Sequence, residues 1–254
     1  MTRSAQTIGE LRKLNTILIR VTLLVLRMVL EDSFNKWYTQ RIKVYKALFS
    51  LRCSYQANTA ATAVTNATSS ASGTMPSHVA STTLHELSAD LITPYATNNP
   101  THVKILQEVW NTTYRAMNTK IPPFEKESAK WKDILCFQNM NPGADLKTSG
   151  ILALRCLAYM FDRYPSPSSA IIAKNRTNIK TNYPVSAVGV NTALLIADVF
   201  GLRTQKYNAE PMPYWSMFEH PSCFYEVFCI CFLYMNQMWV NNKATRSDFG
   251  KIMG

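Results

Sequence analysis

The chain has 254 residues, of which 47% are apolar, 17% are charged and only eight are glycine. This composition excludes a wholly disordered chain, which has few apolar residues and many charges, and it excludes collagen-like architectures. At this length we expect one or two domains with a hydrophobic core large enough to be stable without disulfide bonds or metal ions. The formal net charge of +11 indicates an acidic partner, which is a nucleic acid, an anionic lipid or an acidic protein surface.

The positive charge is concentrated near the N-terminus. Residues 1–56 carry ten basic and three acidic side chains, a net charge of +7, whereas residues 57–254 carry seventeen and thirteen, a net charge of +4. The larger part of the chain is therefore only mildly basic. Its sequence contains no helix-turn-helix, zinc-finger or RNA-recognition motif, so we expect no nucleic-acid partner.

Residues 9–30 are predicted to form an amphipathic helix. Lys13, Arg20 and Arg27 recur every seven residues and therefore share one helix face. The apolar side chains on another face are Leu14, Ile17, Val21, Leu24 and Met28. An arginine near the middle of a membrane span costs about 2.5–3.5 kcal/mol, so spanning is the least favoured of three interpretations. Packing against a protein partner is the first interpretation, and lying on a membrane surface is the second.

A second basic helix is predicted between Phe34 and Gln56, where basic and aromatic side chains alternate. This pattern fits an amphipathic helix with an aromatic core face, and it also fits a docking surface for an acidic partner. Residues 1–56 are thus interpreted as a basic helical extension. Its predicted partner-binding residues are Lys13, Arg20, Arg27, Lys36, Arg41, Lys43 and Lys46.

Residues 57–83 are dominated by Ala, Ser and Thr and carry no charge, which predicts a low-complexity linker. Residues 84–254 have helical rather than alternating periodicity, so we predict an all-α domain. The predicted helices are 101–118, a helix capped by Ser128, a helix capped by Thr148 or Ser149, 184–200 and 222–241. Asn141-Pro142-Gly143 is predicted as a loop, and Pro165 and Pro167 are predicted to end the third helix.

The last predicted helix is nearly apolar, but Glu226, Asn236 and Gln237 favour a buried core helix over a membrane span. Six cysteines occur without a Cys-x-x-Cys pair, and the four histidines are scattered. We therefore expect free buried thiols in a reducing intracellular compartment, and neither a metal nor another cofactor.

The stretch from Trp131 to Tyr159 resembles the signature of the ELMO domain. In that signature a Trp is followed by Gly-Phe-Gln, Asp-Pro, Thr-Asp-Phe-Arg-Gly and Gly-Leu-Leu-Gly-Leu. The matching residues are Trp131, Phe137, Gln138, Pro142, Asp145, Gly150, Leu152, Leu154, Leu157 and Tyr159. The segment around Tyr183, Val188, Gly189 and Asn191 is similar to the next helix of the family. The resemblance covers about residues 100–245, and the N-terminal helices are similar to those of the short ELMO-domain-containing proteins.

The resemblance implies a multi-helix ELMO domain that acts on Arf-like small GTPases. Short members activate GTP hydrolysis, and the Arg of the Thr-Asp-Phe-Arg-Gly motif is their arginine finger. Lys147 stands at that position here. An arginine finger raises the rate by about 10³–10⁵, or roughly 4–7 kcal/mol, through a planar fork that Lys lacks. We therefore expect weak or lost catalysis at a degenerate catalytic residue.

Other positions in the motif also depart from the family pattern, because Cys136 replaces Gly, Asn141 replaces Asp, Leu146 replaces Phe and Thr148 replaces Gly. We expect Lys147 to lie just before a helix N-terminus, where the helix dipole disfavours a cation. A solvated loop residue and an anion-binding residue without catalysis are the alternatives for Lys147. The residues expected to support the loop are Trp131, Phe137, Gln138, Pro142, Asp145, Gly150 and Asn191. Asn191 lies within an apolar helix, so we expect it to satisfy a buried backbone or loop group.

A second function remains open, which is that of a structural, non-catalytic subunit of a large assembly. The basic extension suits an acidic polymer such as tubulin, in the microtubules of a cilium or flagellar axoneme, by analogy at the level of the family. The expected location is accordingly the cytoplasm, including the axoneme. Association with a membrane surface through the first helix is the alternative.

Overall fold

The computed structural model describes residues 73–212 and 214–250. In these ranges the protein is all-α, as predicted, with one isolated antiparallel bridge between Thr74 and Met212. The α-helices are α1 (His78–Ile92), α2 (Pro100–Ala116), α3 (Ala129–Asp133), α4 (Pro142–Asp145), α5 (Leu152–Arg163), α6 (Pro165–Thr177), α7 (Val185–Val199) and α8 (Cys223–Asn241). Short 3₁₀ segments lie at Lys206–Asn208, Trp215–Glu219 and Arg246–Asp248. The predicted basic extension lies outside the described residues.

The described residues divide into two compact units. Residues 73–83 and 206–223 form the smaller unit, and residues 84–205 and 224–250 form the larger one. In the smaller unit the indole N–H of Trp215 donates to the carbonyl of Glu210 at 2.8 Å, and its ring meets that of Tyr207 edge to face. Both of these aromatic side chains are buried.

Helix α5 is the centre of the larger unit, since it packs against α2, α6 and α7. Its sequence explains this position, because apolar residues occur on most of its circumference. Its buried residues are Leu152, Ala153, Leu154, Cys156, Leu157, Met160 and Phe161. Gly189 of α7 lies where a Cβ would be 2.9 Å from the side chain of Leu157, so this glycine allows α7 to approach α5 closely.

Helix α1 begins within the segment that composition assigned to the linker. Ala80, Leu84, Leu87 and Leu91 are buried at helical spacing, although His78 is the first residue of the helix. Residues 78–83 are therefore helical rather than linker. Composition missed this because Ser81, Thr82 and Thr83 give little apolar contrast, although Thr83 is itself buried.

Helix α6 was not predicted. Pro165 does follow the end of α5 at Arg163, but it also occupies the first position of α6, where a missing N–H costs no hydrogen bond. The predicted cap by Thr148 or Ser149 is wrong as well. Helix α5 begins after Ile151 with no capping side-chain hydrogen bond. The predicted cap Ser128 is confirmed, since its hydroxyl accepts from the backbone N–H of Lys130.

Helix α8 is long and apolar enough to cross a membrane by length and composition, and 56% of its most apolar window is buried inside the protein. Its buried Glu226 accepts hydrogen bonds from the hydroxyls of Tyr159 and Tyr164. These bonds connect α8 to α5 and compensate the carboxylate for the water that it loses. Just over half of the most apolar window of α8 is covered by the protein, and the preference for a core helix over a membrane span stays a prediction.

Candidate functional site

The segment 136–150, called the signature loop here, connects α3 to α5 and rests on a cluster of aromatic rings. Trp131 and Phe137 are buried with ring centroids 5.1 Å apart, and Trp131 contacts Trp110 of α2 at 5.0 Å. The indole N–H of Trp131 donates to the carbonyl of Glu125 at 2.9 Å. Ring packing and this hydrogen bond fix the N-terminal end of the loop.

The carboxylate of Asp145 closes the signature loop. Its Oδ2 accepts the backbone N–H of Gln138 at 2.8 Å and the hydroxyl of Ser186, and its Oδ1 accepts the amide of Asn139. The hydroxyl of Ser186 also accepts the N–H of Gln138 at 3.2 Å. Three donors from two segments therefore converge on one carboxylate, and such charge-assisted bonds are the stronger kind. Ser186 on α7 was not singled out in the sequence, because nothing in its spacing connects it to Asp145.

The middle of the loop is a helix of one turn rather than an irregular loop. Asn141 caps α4 by accepting the N–H of Gly143 at 3.0 Å, and the buried Pro142 occupies the first helical position. Asparagine as N-cap followed by proline is a standard way to begin a helix. The prediction of an irregular loop at these residues is therefore corrected.

The C-terminal end of the loop is fixed by Gly150, which has φ +55°. A Cβ at this position would lie 2.4 Å from the carbonyl oxygen of Asp90 and 2.6 Å from that of Thr93. The next N–H, that of Ile151, donates to these same two carbonyls at 3.0 and 3.1 Å. Only glycine allows the backbone to approach the end of α1 in this way.

Cys136 stands where the signature has glycine and adopts φ +58°, a region that L-residues rarely occupy. Its carbonyl accepts the N–H of Val185 at 2.8 Å, which connects the loop to the start of α7. Burial raises the pKa of its thiol to about 11, and the nearby Arg176 charge opposes that shift. The thiol is therefore protonated and unreactive at neutral pH.

Lys147 lies in the turn after α4, between the fully buried Leu146 and the exposed Thr148. Its side chain is exposed and makes no ion pair or hydrogen bond with any residue in 73–212 or 214–250. Ile151 is the N-cap of α5, so Lys147 precedes that helix by a whole turn. The predicted position just before a helix N-terminus is corrected, because the dipole acts only near the first turn.

Two predicted loop-supporting residues form hydrogen bonds that involve the backbone. Gln138 contributes its backbone N–H to the loop, while its exposed side chain bonds to none of the described residues. Asn191 is exposed on α7 and donates to the carbonyl of Ala187 in its own helix at 2.8 Å. Of the two expectations for Asn191, a buried backbone group and a loop group, the structure shows the first, since its amide satisfies the carbonyl of Ala187.

The site thus presents one exposed cation on a loop held from both ends. The Lys147 ammonium can bind and polarise an anion. Within the same loop the Asp145 carboxylate is engaged by three donors, and the Cys136 thiol is buried.

Comparison with known proteins places these features in a sequence family. The profile of the ELMO/CED-12 family matches residues 85–253. ELMO domain-containing protein C of Dictyostelium discoideum is 25% identical over 171 residues, which cover 62% of this chain and 25% of that protein. ELMO domain-containing protein 2 of Bos taurus is 27% identical over 154 residues, covering 59% of this chain and 48% of that protein.

A third relative, engulfment and cell motility protein 3 of Bos taurus, is 29% identical over 126 residues, which cover 47% of this chain and 19% of that protein. The chain therefore spans about half the length of one of these curated relatives and a quarter or less of the others. The residues matched by the family profile include the signature loop.

The bond between Asp145 and Ser186 gives a first prediction. Asp145→Ala and Ser186→Ala each lower the free energy of unfolding, and the double variant loses less than the sum. We expect a coupling energy of about 1–2 kcal/mol, because the two side chains share a direct charge-assisted hydrogen bond in one network. Urea unfolding followed by circular dichroism measures it. The control pair is Ser186→Ala with Glu108→Ala, which removes an exposed carboxylate on α2. The two losses of unfolding free energy in this pair should add within about 0.5 kcal/mol. The same coupling energy in both pairs would contradict the bond between Asp145 and Ser186.

The backbone at Cys136 gives a second prediction. Cys136→Gly should be more stable than Cys136→Ala by about 1 kcal/mol, because a Cβ is strained at positive φ. The same pair at Cys156, in the middle of α5, is the control, and there alanine should be the more stable by about 0.5–1 kcal/mol. Thermal unfolding of the four variants checks the reversal. If glycine and alanine have the same order of stability at both positions, the prediction is wrong.

Proposed function

Because this chain belongs to the ELMO/CED-12 family, we propose that it binds an Arf-like small GTPase and accelerates GTP hydrolysis weakly or not at all. Family membership supports the fold and the class of partner. The relatives match this chain over only part of their length, so their activity is carried over as a proposal. The loss of catalysis is argued from the residues of this chain.

The exposure of Lys147 is the observation that carries the proposal. Its neighbours are fixed, since Leu146 is completely buried and Asp145 accepts three hydrogen bonds. The backbone therefore holds Lys147 outward, and its side chain has no partner among the described residues. The resemblance to the ELMO signature supports the proposal that this exposed lysine occupies the position of the family's arginine finger.

The difference between the two cations determines the expected activity. An arginine finger stabilises the charge that spreads over the phosphoryl oxygens in the transition state, and its planar fork contacts two oxygens at once. The Lys147 ammonium is a point charge on a flexible stem, and it retains attraction to an anion without this geometry. We therefore expect binding to the GTP-bound partner to survive while most of the rate acceleration is lost.

The alternative of a structural subunit on an acidic polymer depends on residues 1–56, which lie outside the described residues. It stays a prediction that co-sedimentation with microtubules tests. Deletion of residues 1–56 should abolish binding at low salt, because the net charge of +7 is then removed. The predicted cytoplasmic or axonemal location depends on the same segment and is proposed with it.

Replacement of Lys147 tests the proposed function. GTP hydrolysis by a panel of Arf-like GTPases is measured in single turnover with the unaltered protein, with Lys147→Arg and with Lys147→Ala. Lys147→Arg should accelerate hydrolysis at least about ten-fold over the unaltered protein, because it restores the fork. Lys147→Ala should show no acceleration and weaker binding.

Lys104→Arg is the matched control, since Lys104 is an exposed lysine on α2 and the change is chemically identical. It should leave the rate unchanged. Absence of binding to every GTPase by both the unaltered protein and Lys147→Arg contradicts the proposed partner. Full activation by the unaltered protein, with no gain from Lys147→Arg, contradicts the proposed loss of catalysis.

A further inference from the structure

A cleft of about 400 Å³ opens beside the signature loop in the larger unit. Its lining is mostly polar and comes from α3, the loop, the end of α6, the segment before α7 and the 3₁₀ segment Arg246–Asp248. The residues that define it are Lys132, Gln138, Arg176, Asn182 and Arg246. A concave space of this size is within the range of small-molecule sites in proteins.

Three cations converge on this cleft from three separate elements. Lys132 lies on α3, Arg176 is in the last turn of α6, and Arg246 begins the 3₁₀ segment. None of them forms an ion pair with a residue in 73–212 or 214–250. Asp133 is the single acidic residue of the lining, so the cleft carries a net charge of about +2.

Arg246 is held in a fixed orientation. Its Nε donates to Oδ1 of Asn182 at 3.0 Å, which leaves the two terminal nitrogens of the guanidinium group available. Arg176 is exposed, and its charge reaches the thiol of Cys136 in the cleft wall. Two guanidinium groups of this kind recognise tetrahedral or planar oxyanions by paired N–H donors.

Two side-chain amides line the cleft near Arg176 and the loop, and they differ in whether the protein already uses their hydrogen bonds. Asn175 is buried and fully used, since it donates to the carbonyl of Ile171 at 3.0 Å and accepts the N–H of Tyr183 at 2.7 Å. The side chain of Gln138 lines the cleft and bonds to none of the described residues. A signature residue whose side chain supports nothing structurally is thus available as a hydrogen-bond donor to a ligand.

We propose that this cleft binds a phosphate monoester, with Arg176, Arg246 and Lys132 around its oxygens and the amide of Gln138 as a further donor. A monoester carries a charge of about −1.5 to −2 at neutral pH, which matches the net charge of the lining. A phosphate monoester has three terminal oxygens, and three separate elements each contribute one cationic donor to the cleft. Because the cleft is concave, a compact anionic group fits into it better than the flat surface of a protein partner does.

The site does not depend on the proposed function, because Lys147 is not part of the lining. A soluble phosphate ester and a lipid headgroup share the chemistry that the cleft recognises. Two arms of one experiment distinguish these sources. The first arm is calorimetric titration of the full chain with glycerol phosphate. The second is flotation with phosphatidylcholine vesicles that contain phosphatidic acid, compared with vesicles that contain phosphatidylglycerol, a phosphodiester.

The variants are Arg176→Gln and Arg246→Gln, with Arg203→Gln as the control. Arg203 is an exposed arginine outside the cleft, so its replacement removes the same charge. We expect the two cleft variants to weaken binding about ten-fold or more, and the control to leave binding unchanged. Because the basic extension also attracts anionic vesicles, the difference between the variants is the decisive quantity.

Binding of glycerol phosphate with this dependence supports the proposal and assigns a soluble source. The same dependence seen only with phosphatidic acid vesicles supports it and assigns a lipid source. Equal weakening by Arg203→Gln overturns it, because the effect is then general surface electrostatics. Absence of binding in both arms also overturns it. A poly-glutamate peptide is the last probe. If it binds with the predicted dependence on Arg176 and Arg246 while both phosphate probes fail, the ligand is an acidic protein and the proposal is overturned.

Discussion

The carboxylate of Asp145 is the interaction on which the signature loop depends. It accepts from Gln138 and Asn139 at the start of the loop and from Ser186 on α7, so one side chain joins the loop to itself and to the next helix. With Asp145 fixed, Leu146 enters the core and the following residue, Lys147, has to point outward. The exposure of Lys147 is thus a consequence of the bond network behind it.

Both ends of the loop are anchored by backbone geometry that few residues tolerate. Gly150 meets the last carbonyls of α1 at distances that no Cβ permits, and Cys136 has a positive φ although it is not glycine. The positive φ at Cys136 carries a conformational cost that a glycine would avoid. If Lys147 stands at the arginine-finger position, as we propose from the resemblance, retained binding fits a lysine better than retained catalysis does.

The amino-acid sequence predicted what local periodicity and capping encode. The all-α class, the helices around α2, α5, α7 and α8 and the cap at Ser128 all follow from patterns within a few residues. Helix α6 was missed because Pro165 indicated only the end of the preceding helix, although proline is also common at the first position of a helix. The partner of Asp145 was missed because Ser186 is 41 residues away, and only the folded chain brings the two together. Asn191 was expected to satisfy a buried backbone or loop group, and it bonds to the backbone carbonyl of Ala187 in its own helix.

The central claim is that this loop binds a GTPase without stabilising the transition state of hydrolysis. The direct measurement is the affinity of the protein for one Arf-like GTPase in two states, with a non-hydrolysable GTP analogue and with GDP plus aluminium fluoride, which mimics the transition state. We predict similar affinities for the two states, and a preference for the aluminium fluoride state only in Lys147→Arg. A strong preference of the unaltered protein for the aluminium fluoride state would contradict the account.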